Sequence, residues 1–284
     1  MPELPEVETV ARGLRLALPG RRIVSVRLSA KTNFIENPSA LELQLPGSRV
    51  SAVRRHGKVL LVDLDARDEA STSLSLQIHL GMTGQIVVGS PELPIAAHTH
   101  VFLALDDGTE LRYTDVRRFG KMRMLASGDR VGLASKLGTD SLSITADEFR
   151  ECIHARRSRI KALLLNQSVL SGMGNIYTDE GLWRAKIHPK RLGANLKPAE
   201  LSRLYREVRA VLNEAIKLKG SSVSDYVDTE GNRGDFQSRH RVYQRKGKPC
   251  FRCRTKIKHA TVAGRSTFYC PRCQRVPRAR PRRR

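Results

Sequence analysis

Residues 250–273 read CFRCRTKIKHATVAGRSTFYCPRC. Cys250 and Cys253 form one C-x2-C pair, Cys270 and Cys273 a second, and sixteen residues separate them. Each pair puts two thiolates on one tight turn. Two such turns meeting give tetrahedral ligation by four sulfurs, which suits zinc. The stretch ATVAGRSTFYC has extended character, so a hairpin is expected to return the second turn to the first. The alternatives are two disulfides or four buried free thiols. Only five cysteines occur, and four lie in the last 35 residues. A reducing compartment and one structural metal ion account for that distribution better than disulfides do. Cys152, in a helical pattern, reads as a core residue.

Outward from the cysteines, residues 239–284 hold 17 Lys or Arg and no Asp or Glu. A merely solvated face mixes signs. The last nine residues, VPRARPRRR, lack apolar periodicity and are expected to be a disordered tail adding salt-dependent, nonspecific attraction. The whole chain of 284 residues carries 51 Lys plus Arg against 28 Asp plus Glu, a formal charge of +23. That field calls for a polyanionic partner, with nucleic acid ahead of an anionic membrane surface. No apolar run is long enough to span a bilayer, and no signal-like segment opens the chain, so a cytoplasmic location is expected.

Towards the N-terminus the hydrophobic period changes twice. PEVETVARGLRLAL at 5–18 puts Val7, Val10, Ala11, Leu14 and Leu18 on one helical face, with Pro5 and Glu6 suited to the first turn. From Arg22 to about Leu125 the period is two, in at least six short runs, with Asp107-Gly108 as a hairpin turn. This predicts a β-sandwich or barrel. Near residue 145 helical spacing returns. Thr145 and Glu148 can form a capping box, IKALLLNQSVL reads as helix, SGMGN breaks it, and IYTDEGLWRA resumes it. A long helix then runs to Gly220, and the polar, Gly-rich stretch 221–238 reads as a mobile loop.

The start of the chain carries a chemical possibility. Pro in second position favours removal of Met1, leaving the secondary amine of Pro2. An α-amine has a reference pKa of about 7.7 to 8.0, so more of it is unprotonated at neutrality than of a lysine. Such an amine can attack a sugar C1′ or an aldehyde and form an iminium, with Glu3 or Glu6 moving the proton. The bland reading is an ordinary MPE start with acidic helix capping.

MPELPEVETVARGL, RRHGKVLL at 54–61, IHLGMTG at 78–84, TDVRRFGK at 114–121, IKALLLNQ at 160–167, SGMGNIYTDEGLW at 171–183, VYQRKGKPCFRC and GRSTFYCPRCQ together resemble the bacterial formamidopyrimidine-DNA glycosylases. The resemblance covers nearly the whole chain apart from the basic tail. It implies a multidomain α+β protein: an N-terminal helix with an antiparallel β-sandwich (1–135), a helix–two-turn–helix domain with a lesion-capping loop near 221–238 (136–238), a four-cysteine β-hairpin zinc finger (239–275) and the tail (276–284). It also implies excision of oxidised purines, 8-oxoguanine and formamidopyrimidines, from double-stranded DNA, followed by β,δ-elimination at the abasic site. A monomer, associated with the nucleoid and needing one structural Zn2+, is expected.

Residue by residue, the resemblance makes Pro2 the nucleophile, Glu3 the proton donor and acceptor, and Lys58 a phosphate-holding lysine that assists catalysis. Met82, Arg117 and Phe119 match the triad inserted into the gap left by the extruded nucleotide, with Arg117 facing the orphaned base. His98, Lys161, Asn175 and Arg265 match DNA contacts, Arg265 also serving catalysis. Glu6, Tyr177, Glu180 and the loop residues Ser222, Val223, Ser224, Asp225 and Tyr226 match the lesion pocket. Read from the residues alone, Met82 and Phe119 suit a core, Lys58, His98 and Lys161 a surface, and Asn175 a helix cap. Two other readings stand beside this one: an oxidised-pyrimidine glycosylase of the related branch, and a noncatalytic damaged-DNA-binding protein. Leu4 and the RRFG segment favour the purine branch. Arg254, where the family commonly has glycine, is a departure close to the metal ligands.

Overall fold

The computed structural model describes residues 2–65, 73–126 and 136–276; residues 277–284, nearly all of the expected tail, lie outside the described residues. Helix α1 (Leu4–Ala17) has Pro5 second in its first turn, where a missing N–H costs nothing, and buries Val7, Val10, Ala11 and Leu14. Eight strands follow: β1 (Ile23–Leu28), β2 (Val50–His56), β3 (Val59–Leu64), β4 (Leu74–His79), β5 (Gly84–Gly89), β6 (Thr99–Leu105), β7 (Glu110–Asp115) and β8 (Lys121–Ala126). They make two antiparallel four-stranded sheets, ordered β1-β6-β7-β5 and β2-β3-β4-β8. Inward residues of both sheets, among them Leu60, Val62, Leu76, Ile86, Val101 and Leu103, share one apolar cluster with the buried face of α1. That shared core is why the alternation read from the sequence becomes a sandwich.

Two turns place residues of interest. The β6–β7 hairpin turns at Asp107-Gly108, with Gly108 at φ 83° and the Asp107 carboxylate accepting the Thr109 N–H at 3.0 Å. The β2–β3 hairpin pairs His56 with Val59, so Gly57, at φ 57°, and Lys58 form its tip.

The second region is helical. The helix Ala146–His154 has the expected capping box: Thr145 Oγ1 accepts the Glu148 N–H at 3.2 Å, and Glu148 accepts the Thr145 N–H at 2.8 Å. The next helix is shorter than expected. It covers only Ile160–Leu165, because the Asn166 carboxamide takes the Ser168 N–H at 3.0 Å and turns the chain. Two-residue strands β9 (Thr139–Asp140) and β10 (Leu170–Ser171) pair in parallel, and helices Asn175–Arg184 and Pro198–Lys217 complete the region. The long helix closes by a Schellman motif. The Gly220 N–H reaches Ala215 C=O at 2.8 Å and the Lys219 N–H reaches Ile216 C=O at 3.0 Å. Lys219 takes the left-handed position at φ 57°, with Gly220 following at φ 84°. The last hairpin is β11 (Lys258–Val262) and β12 (Arg265–Tyr269), joined by Ala263-Gly264 with both φ positive.

The chain divides into two compact units, 1–137 with 215–237, and 138–214 with 238–284. The loop read as part of the helical domain therefore folds with the sandwich. It is also well tied rather than free. Ser221 bridges Asp235, and the Arg233 guanidinium donates to Ser222 C=O at 2.8 Å. None of the helices is long and apolar enough to cross a membrane, among the described residues.

Candidate functional site

In the first unit, Pro2 is buried immediately ahead of α1, and Glu3 is buried at its N-cap. The Glu6 carboxylate works in two directions: one oxygen accepts the Glu3 N–H at 2.7 Å and the other the Ser221 N–H at 2.7 Å. A Cβ at Gly220 would sit 2.8 Å from that Glu6 oxygen, so glycine is needed for the approach. Glu6 thus fastens the 221–235 loop to the start of the helix. Within the loop, Ser222 Oγ donates to Tyr226 C=O at 2.7 Å and accepts the Gly234 N–H at 2.9 Å. Val223, Ser224 and Asp225 form an exposed tip between these two buried posts. Tyr226, expected in the lesion pocket, lies in the apolar core with its hydroxyl donating to Glu6 C=O at 3.3 Å.

Lys58, at the hairpin tip, is 8% exposed, and with Lys121 it acts on His79. Burial, then the two ammonium charges, hold the His79 pKa below its ordinary value. The ring's Nδ1 accepts the Gly81 N–H at 3.0 Å. His79 is therefore neutral around pH 7, and a phosphate beside it would raise its pKa. Met82 and Phe119 are exposed rather than core, as two loops require: residues 80–83 between β4 and β5, and 116–120 between β7 and β8. The Arg117 guanidinium lies 4.5 Å over the Phe119 ring. His98 is exposed one residue before β6, in the left-handed region at φ 65°. Arg118 supports its loop by donating to Asn33 Oδ1 at 3.2 Å.

In the second unit, Asn175 is the first residue of its helix and Gly174 is the cap. The Asn175 Oδ1, Ser171 Oγ and Thr178 Oγ1 are buried with no hydrogen-bond partner among the described residues. The start of this helix, the positive end of its dipole, suits an anionic ligand, whereas the Asn175 Oδ1 can only accept a hydrogen bond. Arg265 is exposed directly after the Ala263-Gly264 turn.

Three residues expected at the DNA or lesion, Lys161, Glu180 and Tyr177, are buried within the protein. Lys161 is fully buried, with its ammonium on Asp179 at 2.7 Å and on Ser266 C=O at 2.9 Å. Asp179 also accepts the Phe268 N–H at 2.8 Å, and burial pushes its carboxyl up to about 7 against the pull of Lys161. The pair therefore holds strand β12 and does not present a cation to solvent. Glu180 is fully buried and accepts the N–H groups of Arg241, Val242 and Tyr243 at 2.8 to 3.0 Å. Tyr177 is fully buried as well. Lys161→Met leaves the Asp179 charge without its partner, so unfolding in denaturant is expected to show a loss of about 3 to 5 kcal/mol. Adding Asp179→Leu should recover part of that loss.

His240 is buried, which pushes its pKa down to about 4. The unfolded chain binds this proton more readily, so the neutral ring's contribution is complete above about pH 6.5 and is lost as pH falls towards 4. The loss is up to about 3 kcal/mol, and His240→Phe should flatten the stability slope across that window.

The four sulfurs of Cys250, Cys253, Cys270 and Cys273 lie within 4.8 Å of one another. A tetrahedron with Zn–S bonds of about 2.3 Å has edges of about 3.8 Å. The Cys250–Cys273 and Cys253–Cys270 separations are 4.0 and 3.4 Å, so the donor set fits a four-coordinate thiophilic metal. Arg254 takes φ 62°, the left-handed conformation that makes glycine natural after such a knuckle, and its N–H still closes the turn on Cys250 C=O at 2.9 Å. The departure at Arg254 thus adds local strain without opening the turn. Cys152 is half-buried rather than core, its thiol donating to Phe149 C=O at 3.3 Å.

Residues 1–122 match the model of the formamidopyrimidine-DNA glycosylase N-terminal domain, residues 137–227 that of its H2TH domain, and residues 247–276 a zinc finger found in FPG and IleRS. The chain belongs to the formamidopyrimidine-DNA glycosylase family. It is 41% identical to the formamidopyrimidine-DNA glycosylase of Pelotomaculum thermopropionicum over 97% of this chain and all of that one. A variant of the Lactococcus lactis enzyme, solved with DNA containing Fapy-dG, superimposes with a TM-score of 0.87 at 32% identity, over 97% of this chain and all of that one. The wild-type Lactococcus lactis enzyme with oxidised-pyrimidine DNA gives 0.85 at 33% identity, with the same coverage.

In this family member the sequence reading passed over His79, although IHLGMTG contains it. The signal in the chain is a histidine at the end of a period-two run, two residues before Gly81; its register opposite Val59 and Lys121 comes only with the fold.

Proposed function

We propose that the protein is a bifunctional DNA glycosylase and abasic-site lyase acting on oxidised purines in double-stranded DNA. The observation that carries the reading is the buried start of α1, where Glu6 ties Glu3 to the 221–235 loop right behind Pro2. With Met1 removed, the Pro2 amine attacks C1′ of the damaged nucleotide as the bond to the base breaks and the base leaves with the electron pair. The Pro2 nitrogen then loses its proton, and its lone pair expels O4′, which is protonated as the sugar ring opens, leaving an iminium at C1′. It acidifies the C2′ proton, whose loss expels the 3′ phosphate, and a second elimination expels the 5′ phosphate. Glu3 gives and takes the protons at the sugar. Lys58, with His79 beside it, holds phosphate, and Asn175 and Arg265 hold the backbone. Met82, Arg117 and Phe119 fill the space of the extruded nucleotide, which offsets an unstacking cost of roughly a few kcal/mol.

One Zn2+ on the four cysteines supplies folding energy to the finger and takes no part in bond breaking. The protein works as a monomer in the cytoplasm, at the nucleoid. The basic tail adds counterion-release attraction along the duplex.

The test is borohydride trapping on duplexes holding 8-oxoguanine or an oxidised pyrimidine. A covalent adduct at Pro2, faster with the purine and accompanied by β,δ products, is the expected result. Faster trapping with the pyrimidine favours the related branch. DNA binding without any adduct would point to the noncatalytic alternative.

A further inference from the structure

The exposed residues Met82, Arg117 and Phe119 sit on two loops, each crossing between the two sheets, and a wedge that must enter stacked bases needs both loops held in one geometry. One buried side chain reaches both. Asp115, at the end of β7, has no exposed surface. Its Oδ1 accepts the Thr83 hydroxyl at 2.5 Å. Its Oδ2 accepts the Gly120 N–H at 2.8 Å and the Tyr113 hydroxyl at 3.1 Å. The main chain joins in: Asp115 C=O accepts the Arg118 N–H at 3.3 Å and faces His100 Nε2 at 3.2 Å.

The Thr83 hydroxyl makes this a directed relay. A hydroxyl has one proton, and here it goes to Asp115. The oxygen lone pairs then face the Arg117 N–H, which Thr83 Oγ1 accepts at 3.0 Å. Thr83 follows Met82, so the residue that carries one wedge side chain's loop also fixes the backbone of Arg117. Contact between the loops is close as well. A Cβ on Gly81, at φ +61°, would lie 2.4 Å from the Phe119 carbonyl carbon, so the two backbones pack directly.

We propose that Asp115 and Thr83 are positioning residues that set the register of Arg117 against Met82 and Phe119, and so set the preference for the base opposite the lesion. The proposal rests on the glycosylase reading given above for these three residues. Neither Asp115 nor Thr83 touches DNA in it. Their effect is on where Arg117 donates, so loss of the relay loosens discrimination between opposite bases while the Pro2 chemistry is untouched.

Thr83→Val removes the hydroxyl at nearly constant shape, and Thr83→Ser keeps it. Both are made in the full chain. Excision of 8-oxoguanine opposite cytosine and opposite adenine is measured in single turnovers, beside borohydride trapping on a preformed abasic duplex. Amide hydrogen exchange at Arg117 is followed without DNA. Thr83→Val is expected to lower the cytosine-over-adenine preference at least tenfold, to leave trapping within twofold, and to lower Arg117 protection about tenfold, with Thr83→Ser restoring all three. A parent-like preference in Thr83→Val overturns the proposal, as does an equal fall in trapping and excision. If the parent neither excises nor traps, the glycosylase reading fails instead. Arg117 exchange then decides the relay alone, and unchanged protection in Thr83→Val rules it out.

Discussion

A chain with one extra residue ahead of Pro2 is expected to fold like the parent and to lose both excision and strand cleavage, by about a thousandfold or more. The extra residue turns the Pro2 amine into a tertiary amide, whose nitrogen lone pair is delocalised into the carbonyl and cannot attack C1′. A thousandfold corresponds to about 4 kcal/mol of barrier, the scale of losing a covalent route rather than a proton shuttle. Glu3→Gln tests the shuttle separately. It keeps the side-chain shape at the N-cap and should cost about a hundredfold to ten-thousandfold in rate. The measurement is single-turnover excision beside a melting curve. Retained cleavage in the extended chain would remove Pro2 from the mechanism and leave Lys58 as the amine to examine.

Metal removal is expected to be the largest effect on the second unit. Among the described residues, the finger's apolar cluster contains only Trp183, Val242, Ile257, Phe268 and the four cysteines, and a two-stranded hairpin is marginal by itself. Structural zinc contributes on the order of 10 kcal/mol to comparable segments. Chelation, or Cys273→Ser, should therefore loosen residues 247–276 and release Arg265 from its turn. DNA affinity is expected to fall on the order of a hundredfold through lost phosphate contacts. Trp183 packs against Cys250 and is the only tryptophan, so its fluorescence reports the same event. Full DNA affinity and unchanged emission after stoichiometric metal loss would show that the finger stands without its ion.

Features carried by short-range rules were legible in the chain. The period-two runs became the two sheets, Asp107-Gly108 became the hairpin, Thr145 and Glu148 became the capping box, and the four cysteines converged. What the sequence did not disclose depends on partners far along the chain. Lys161 looks like a surface lysine because its acceptors are Asp179 and the Ser266 carbonyl, the latter 105 residues away. The burial of Glu180, which the resemblance placed in the lesion pocket, is hidden because its donors lie 61 to 63 residues away. A buried charge is tolerable only with such partners, and local pattern contains no trace of them. The loop 221–238 reads as mobile for a related reason: Ser221 and Ser222 are held by Glu6, Tyr226 and Gly234, partners that local pattern does not show.

The Glu180 carboxylate has a consequence for how the finger recovers from an oxidant or a competitor for its metal. It grips the backbone through Tyr243 without help from the ion, and Cys250 follows only seven residues later. An emptied finger is thus on a short leash. Its first thiolate pair stays within a small volume of the helix that bears Glu180, and the closure entropy that a returning ion must overcome is that of a short segment. Recharging the site is a local event.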